Sequence, residues 1–194
     1  MQSELLAACP GLVARAGETV EVPPDTDFVV VEEGVVVSAV SRTNRRFILS
    51  FAAGGDVVLP PADGVSLEAL RPSRLRVVSP DARRRLLADP DAGEEVFAGL
   101  AAAVAEREQS LSQIGARLHE DRVLAKLREL GRKFGRVTPD GVRLDLPLTH
   151  QLLADAVGAS RETVSVTLRQ LQRTGTIHRA GRTYVLKVPP RELA

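Results

Sequence analysis

The sequence predicts an α+β protein with a β-rich N-terminal part, one long central helix and a helical C-terminal part that ends in a hairpin. Glycine and proline first separate short apolar runs, apolar residues then recur at steps of three and four, and two short capped helical patterns follow. The expected domains are residues 1–88, 89–118 and 119–194. A chain of 194 residues is long enough for two modest cores.

Short runs rich in β-branched and aromatic residues form the predicted antiparallel β-barrel or jelly roll. The expected strands are residues 19–22, 28–31, 35–40, 46–51 and 74–78. Turn residues separate them, namely Gly17, Pro23-Pro24, Gly34, Gly54-Gly55 and Pro60-Pro61. The N-terminal part is therefore expected to be a small β domain.

The best candidate for a long helix runs from about residue 91 to residue 118. Its apolar stripe consists of Phe97, Leu100, Val104, Leu111, Ile114 and Leu118, and Arg107 is the one interruption. This spacing fits a coiled-coil seam between two copies of the chain, and it also fits one helix laid on its own barrel. In a seam, Arg107 would have to extend to solvent or pair with Glu106 or Glu108.

Residues 149–171 read as two short amphipathic helices joined by a tight turn. Thr149 and Ser160 stand where N-caps are needed, and Gly158 can adopt the positive φ that reverses the chain. The inward faces would be Leu152, Leu153, Ala156 and Val157 in the first helix and Val164, Leu168 and Leu171 in the second. With the small Ala154 at the crossing point, this spacing favours a helix-turn-helix over an ordinary helical hairpin.

The second helix opens with Arg161 and Glu162 on its solvent side. Arginine can donate two hydrogen bonds to guanine O6 and N7, and glutamate can accept one from cytosine N4. Thr163, Ser165 and Arg169 continue this face and suit contacts to phosphates. The pattern predicts a DNA-recognition helix, and the alternative is a solvated ion pair between Arg161 and Glu162.

Two β-hairpins are expected in the C-terminal part. Residues 174–188 alternate apolar and polar around Ala180-Gly181, as in the wing of a winged helix. Arg179 and Arg182 flank its tip, where they would contact phosphates or remain solvated. Upstream, a turn at residues 139–141 leads into an alternating run that predicts another small hairpin.

The C-terminal part resembles the CRP/FNR family of bacterial transcription regulators. The similar runs are Arg122-Val-Leu-Ala-Lys-Leu, Asp140-Gly-Val-Arg-Leu-Asp-Leu-Pro-Leu-Thr-His-Gln and Gly158-Ala-Ser-Arg-Glu-Thr-Val-Ser. The resemblance implies a cyclic-nucleotide-binding-like β domain, a homodimer joined by the long helix, and RNA polymerase as a partner. It also implies a near-palindromic double-stranded DNA site with TGTGA-like half-sites.

On this resemblance, the expected base contacts are Arg161, Glu162 and Val166, and the expected phosphate contacts are Thr149, Ser160, Thr163, Ser165, Arg169, Arg179 and Arg182. Val166 is a departure, because many members have an arginine there. It can touch a thymine methyl group but cannot replace that hydrogen bond.

Charge divides along the chain. Residues 117–194 hold 15 Lys and Arg against 8 Asp and Glu, a net of +7, and residues 1–116 hold 11 against 17, a net of −6. A basic domain gains affinity for DNA by releasing counterions, whereas an acidic domain is repelled by phosphates. The asymmetry therefore favours DNA binding by the C-terminal part.

Effector chemistry is constrained by residues that are missing. Relatives that bind cyclic nucleotides carry a Gly-Glu pair and an arginine before Ser or Ala, whereas this chain has Val65 before Ser66 and the donor-poor Pro60-Pro61. We therefore expect that cyclic AMP is not bound in the family manner. All three histidines lie outside the barrel, so we expect no heme, metal or other cofactor. A small organic effector or none remains open.

The lone Cys9 excludes an intramolecular disulfide and a multi-cysteine iron–sulfur site, and leaves a redox-sensing thiol or, as we expect, a buried one. The sequence lacks phosphate-loop and nucleophile-elbow motifs, so we expect no catalytic residues. It also lacks a membrane span or signal segment, so we expect a cytoplasmic protein. The alternative function is a winged-helix protein-interaction module or a metabolite sensor with non-specific DNA binding.

Overall fold

In the computed structural model the chain divides into two compact units, Met1–Leu111 and Ser112–Ala194, called here the N-terminal and C-terminal units. The structure describes residues 4–43, 45–114, 119–181 and 183–187. Helices and antiparallel sheets are both present, which confirms the predicted α+β class. No helix among these residues is long and apolar enough to cross a lipid bilayer.

The N-terminal unit is mainly antiparallel β-structure with helices at its two ends. Its elements are α1 (Glu4–Ala7), β1 (Gly11–Ala14), β2 (Phe28–Glu33), β3 (Val35–Arg42), β4 (Arg45–Ala53), β5 (Val57–Val58), β6 (Val65–Ala69), β7 (Ser73–Val78), α2 (Pro80–Ala88) and α3 (Pro90–Ile114). α3 continues past the boundary between the units. The strands form a four-stranded sheet in the order β1-β7-β2-β5 and a three-stranded sheet in the order β4-β3-β6.

Strand β2 is buried on both faces, which explains its uninterrupted apolar run. Val29 and Val31 lie in a core that also holds Val36 and Leu67, so the two sheets pack face to face as the predicted jelly roll requires. Because side chains alternate along a strand, the neighbouring Val30 lies on the opposite face. There it joins a second core with residues of α1, α2 and α3.

Several predicted elements differ from the structure. Residues 19–22 were expected to be a strand, but they make only an isolated bridge from Thr19 to Glu68, because the following Pro23-Pro24 cannot donate to a ladder. Strands β1, β5 and β6 and helices α1 and α2 were not predicted. Ser79 caps α2 by accepting a hydrogen bond from the Ala82 N–H at 3.3 Å.

The C-terminal unit contains three helices and a small sheet. Its elements are α4 (His119–Phe134), β8 (Gly135–Thr138), β9 (Gly141–Leu144), α5 (His150–Val157), α6 (Arg161–Arg173), β10 (Ile177–Ala180) and β11 (Thr183–Leu186). α4 packs on both α5 and α6, and the strands pair in the order β10-β11-β9-β8. The hairpins predicted around residues 139–141 and 180–181 are both present.

Candidate nucleic-acid interface

Helix α5 begins and ends where the sequence indicates. The Thr149 hydroxyl oxygen accepts a hydrogen bond from the Leu152 N–H at 3.0 Å, which satisfies a free donor of the first turn. Gly158 ends the helix with a φ of +66°, in the left-handed region that glycine adopts without strain. Every residue from Leu152 to Val157 is buried, so α5 lies inside the unit and supports α6.

Helix α6 has one buried and one exposed face. Ser160 caps it by accepting from the Thr163 N–H at 3.0 Å. The apolar residues Val164, Leu168 and Leu171 are buried as predicted. Arg161, Glu162, Val166 and Arg169 are exposed, and Val166 is 58% accessible although it is apolar. The structure thus brings the three predicted base-contacting residues to one surface, at the N-terminal end of a capped helix.

The two charged side chains at the start of α6 differ in their hydrogen bonding. Arg161 is exposed, and its guanidinium makes no hydrogen bond or ion pair with any residue in the described ranges. A hydrogen bond from its own N–H, one from the Ser160 hydroxyl and the charge of Arg161 hold the pKa of Glu162 below its ordinary value. Glu162 is therefore an ionised acceptor beside a free guanidinium donor.

The other predicted phosphate contacts fall into two groups. Arg169 and Arg179 are exposed, and each donates one intramolecular hydrogen bond, from Arg169 Nε to the Ser165 carbonyl at 3.3 Å and from Arg179 Nε to the Gly181 carbonyl at 3.1 Å. Arg182 lies outside the described residues. The capping hydroxyls of Thr149 and Ser160 each accept a hydrogen bond from a helix N–H. The Thr149 hydroxyl still carries a proton to donate, whereas the Ser160 hydroxyl donates its proton to the Glu162 carboxylate.

Ser165 differs from Thr149 because its hydroxyl proton is donated to the backbone. Its Oγ donates to the Arg161 carbonyl at 2.8 Å and lies 2.8 Å from Nδ1 of His150. Thr163 is half-buried and its hydroxyl lies 3.0 Å from that of Ser160. The predicted hydroxyl contacts are therefore not equivalent, because Thr149 keeps a proton to donate, whereas Ser160 and Ser165 donate theirs within the protein.

His150 is a site residue that sequence reasoning missed. It is the first residue of α5, and its Nε2 lies 3.0 Å from the hydroxyl of Tyr184 on β11. Burial, followed by the charges of Arg161 and Arg179, lowers the pKa of His150 below its ordinary 6.5. Burial raises the pKa of Tyr184. The contact spans 34 positions, so no local sequence pattern could have revealed it.

Two buried cations stabilise the scaffold behind α5. Arg122 donates from Nη1 to the Val157 carbonyl at 3.3 Å, at the negative C-terminal end of α5. Lys126, only 1% exposed, places its Nζ 2.8 Å from a Glu129 carboxylate oxygen. Their carboxylate and carbonyl partners offset the cost of burying charge. They position the helices and are removed from the exposed face.

Helix α3 has two apolar faces in the N-terminal unit. Ala92, Val96 and the partly buried Leu100 pack in the core with the sheet, whereas Phe97 is 75% and Val104 46% exposed. The Glu106 carboxylate joins the helix to β4 by accepting a hydrogen bond from the Phe51 N–H at 2.8 Å. The side chains of Leu111 and Ile114, and all of Leu118, lie outside the described residues.

Arg107 of α3 is half-buried within a single chain. Burial lowers its pKa, and the neighbouring Glu106 carboxylate acts in the opposite direction. The predicted stripe of α3 therefore divides: Leu100 contributes to the unit's own core, and Phe97 and Val104 form an outward face.

The region expected to bind an effector has few groups for an anion. Residues 57–66 contain no lysine or arginine, and the Ser66 hydroxyl donates to the Ala39 carbonyl at 3.4 Å. Gly99 of α3 approaches Val57 so closely that an added Cβ would lie 2.4 Å from its Cγ2. The helix therefore packs directly against β5.

A cavity of about 710 Å³ lies elsewhere in the N-terminal unit, beside α1 and the ends of β2 and β4. Its charged lining consists of Glu4, Glu32, Glu33 and Arg74, three carboxylates against one guanidinium. Such a lining disfavours an anionic ligand. Among the described residues, no group of three or more histidine, cysteine, aspartate or glutamate side chains could hold a metal ion.

Cys9 is buried, as expected, with its Sγ 3.5 Å from the Leu5 carbonyl. Burial raises the pKa of the thiol, against the smaller effects of Arg85 and Arg76. The protonated, inaccessible sulfur has neither property of a reactive cysteine.

Comparison with known proteins supports the reading of the C-terminal unit. Residues 121–191 match the model of the Crp-like helix-turn-helix domain. A global nitrogen regulator of Synechocystis sp. is 34% identical over 88 residues, which are 45% of this chain and 39% of that protein. The chain thus spans about two fifths of the length of this relative.

Two matches cover most of the chain. A CRP-like cAMP-activated global transcriptional regulator of Mycobacterium tuberculosis is 26% identical over 84% of this chain and 76% of its own length. The structure of a CRP/FNR-family transcriptional regulator from Thermus thermophilus superimposes with a TM-score of 0.71 at 21% identity, covering 95% of this chain and 96% of that one. At this identity the superposition establishes the fold.

The resemblance predicted from three short runs of sequence is confirmed, because the family model covers those runs and the fold agrees over both units. The chain carries a Crp-like helix-turn-helix domain, with α5 and α6 as its two helices, within the fold of the CRP/FNR transcription regulators.

Proposed function

We propose that the protein is a sequence-specific, DNA-binding transcription regulator that acts as a homodimer. The observation that carries this proposal is the exposed Arg161 guanidinium, which has no partner among the described residues, beside the ionised Glu162 on the first turn of α6. In a Crp-like helix-turn-helix domain this turn enters the major groove. No enzymatic activity is part of the proposal.

The three exposed residues of α6 have distinct roles in the proposed complex. Arg161 donates to guanine O6 and N7, and Glu162 accepts from cytosine N4. Val166 contacts a thymine methyl group, so the base pair facing it is selected less strictly than a hydrogen bond would allow. These roles fit TGTGA-like half-sites with a relaxed position.

Phosphate contacts fix the register of the helix in the groove. We assign them to Arg169 of α6, to Arg179 and Arg182 at the wing, and to the hydroxyls of Thr149, Ser160 and Thr163. The excess of positive charge after residue 116 supplies the sequence-independent attraction to DNA. Arginine contacts to phosphate fix position and carry no base information.

The outward face of α3 supports dimerisation. Phe97 and Val104 are seven residues apart, about two helical turns, and both are exposed within one chain. A coiled-coil repeat places such residues on one seam against the same residues of a second copy. Two α6 helices held in this way meet half-sites about 34 Å apart, one turn of DNA.

We further propose that cyclic AMP does not control the protein. The segment that holds the nucleotide in binding relatives has no guanidinium here, and the cavity has an acidic lining. Isothermal titration with cyclic AMP is expected to give no saturable heat. Micromolar binding at one site per chain would refute this part of the proposal. RNA polymerase is the proposed protein partner of the DNA-bound dimer.

Selection of bound sequences from a random double-stranded DNA pool tests the function with purified, ligand-free protein. The expected product is a near-palindrome with two guanine-containing half-sites at a fixed spacing. Enrichment of a single half-site would contradict the dimer. Recovery of DNA without sequence preference would contradict specific recognition and favour a protein-interaction role.

A further inference from the structure

A chain of hydrogen bonds crosses the C-terminal unit from the wing to the recognition helix. Tyr184 of β11 contacts Nε2 of His150 at 3.0 Å, Nδ1 of His150 contacts Ser165 Oγ at 2.8 Å, and that hydroxyl contacts the Arg161 carbonyl at 2.8 Å. The two ends of the chain belong to the two elements that the proposed function places on DNA. Its middle residue is the first residue of α5.

The direction of each hydrogen bond follows from counting protons. The Ser165 hydroxyl has one proton, and the Arg161 carbonyl can only accept it. Ser165 must therefore accept from His150 Nδ1. A neutral imidazole carries one N–H, so Nε2 is an acceptor and Tyr184 donates to it. One tautomer of His150 satisfies all three bonds.

The surroundings keep His150 in that neutral form. It is half-buried, and burial and the guanidinium groups of Arg161 and Arg179 disfavour the imidazolium. An imidazolium would also present N–H donors at both ring positions and would leave the Tyr184 proton without an acceptor. All three hydrogen bonds are therefore made only when His150 is neutral.

We propose that His150 is a positioning residue for DNA recognition, which ties the wing to the first turn of α6 through Tyr184 and Ser165. This inference rests on the proposed function and adds to it how the base-reading turn is held. It also reassigns Ser165, because a hydroxyl whose proton binds a backbone carbonyl does not donate that proton to a phosphate. Ser165 orients the Arg161 backbone.

The hydrogen bonds are tested without DNA by nitrogen-15 NMR of the imidazoles in the full chain. His150→Asn identifies the His150 signals among those of the three histidines. The expected spectrum shows a neutral ring with the proton on Nδ1, and Tyr184→Phe shifts the Nε2 resonance. A ring protonated on Nε2 alone would refute the proposed directions of these hydrogen bonds.

The role in recognition is tested by affinities for the selected site and for a scrambled duplex, over a range of salt concentrations. Tyr184→Phe and Ser165→Ala are each expected to lower the ratio of specific to scrambled affinity about 2- to 10-fold, the effect of one lost hydrogen bond. The salt dependence should be unchanged. The double variant should lose little more than either single variant, because both interrupt one chain.

Two variants separate positioning from loss of fold. His150→Asn retains a donor near the Nδ1 position and should keep much of the specificity that His150→Ala loses. His178→Asn changes a histidine on β10 that is not part of this series of hydrogen bonds. It should leave the ratio of specific to scrambled affinity unchanged. Thermal unfolding of each variant identifies any that fails to fold.

Two results would overturn the positioning role. If Ser165→Ala weakened binding to both duplexes equally, Ser165 would be a phosphate contact, because a contact to phosphate carries no base information. If the wild-type chain showed no sequence preference, the proposed function would fail and the positioning role with it. The imidazole spectrum would then still show whether the hydrogen bonds themselves exist, so the two failures are distinguishable.

Discussion

Replacing Arg161 by alanine should separate base reading from general DNA affinity. The guanidinium is exposed and has no partner among the described residues, so its loss should change the free energy of unfolding by less than about 0.5 kcal/mol. A bidentate contact to guanine contributes about 1–3 kcal/mol of discrimination. This corresponds to a loss of about 5- to 150-fold in affinity per half-site, confined to the specific sequence.

Arg169→Ala is the matched variant, because it removes the same side chain from the same exposed face two turns later. Each phosphate contact contributes about 0.9 to the slope of log K against log salt, so two Arg169 residues in a dimer account for about 1.8. Fluorescence anisotropy with the selected duplex and a scrambled duplex measures both quantities. Equal losses of Arg161→Ala and Arg169→Ala on the two duplexes would refute the assigned roles.

Three further changes test the scaffold. Gly158→Ala should lower the free energy of unfolding, measured in urea, by about 1–2 kcal/mol because the φ of Gly158 is +66°. Gly93→Ala should lower it much less, because a Cβ added there meets only contacts of 3.7 Å or longer. Equal decreases would contradict the turn assignment. Phe97→Glu should give a monomer by light scattering, whereas Leu87→Glu, which changes an exposed residue of α2, should remain a dimer. If both variants were dimeric, α3 would not form the dimer seam. The pKa of His150 in the folded protein lies below its ordinary 6.5, so His150 of the unfolded protein is protonated first as pH falls. Protonation stabilises the unfolded state, so the urea midpoint should decrease from about pH 6.5 downward through the pKa of folded His150. This decrease should be smaller in His150→Asn than in His178→Asn, and equal decreases would show that His150 does not contribute it.

The helix-turn-helix was predictable because its determinants are local. The caps Thr149 and Ser160 and the turn at Gly158 stand beside the residues they stabilise, and apolar spacing defined the buried faces of α5 and α6. The exposed positions of Arg161 and Glu162 follow from the same geometry. Most of the candidate interface could therefore be predicted from residue spacing.

The N-terminal unit was less predictable because its pairing is non-local. Strand β5 has two residues, and β1 pairs with β7 across more than fifty positions, so neither carries a clear alternating pattern. α2 buries only Ala82 and Leu86, too few for a recognisable stripe. These elements depend on partners that are distant in sequence.

Helix α3 shows why periodicity alone could not assign its faces. Leu100 and Phe97 both fit steps of three and four, but Leu100 packs in the core of its own unit and Phe97 faces solvent. When two apolar faces of a helix are only about a quarter turn apart, the sequence shows them as a single apolar stripe. The position of the barrel decides which residues remain for a second copy.

We expect Arg161 of α6 to read a guanine in the major groove, and base-analogue interference examines this contact at a single acceptor atom. A duplex in which 7-deazaguanine replaces that guanine lacks the N7 acceptor but keeps its base pairing. The wild-type protein should lose affinity for this duplex, while Arg161→Ala should bind the natural and substituted duplexes equally. An equal loss for both proteins, or no loss for either, would contradict the assignment.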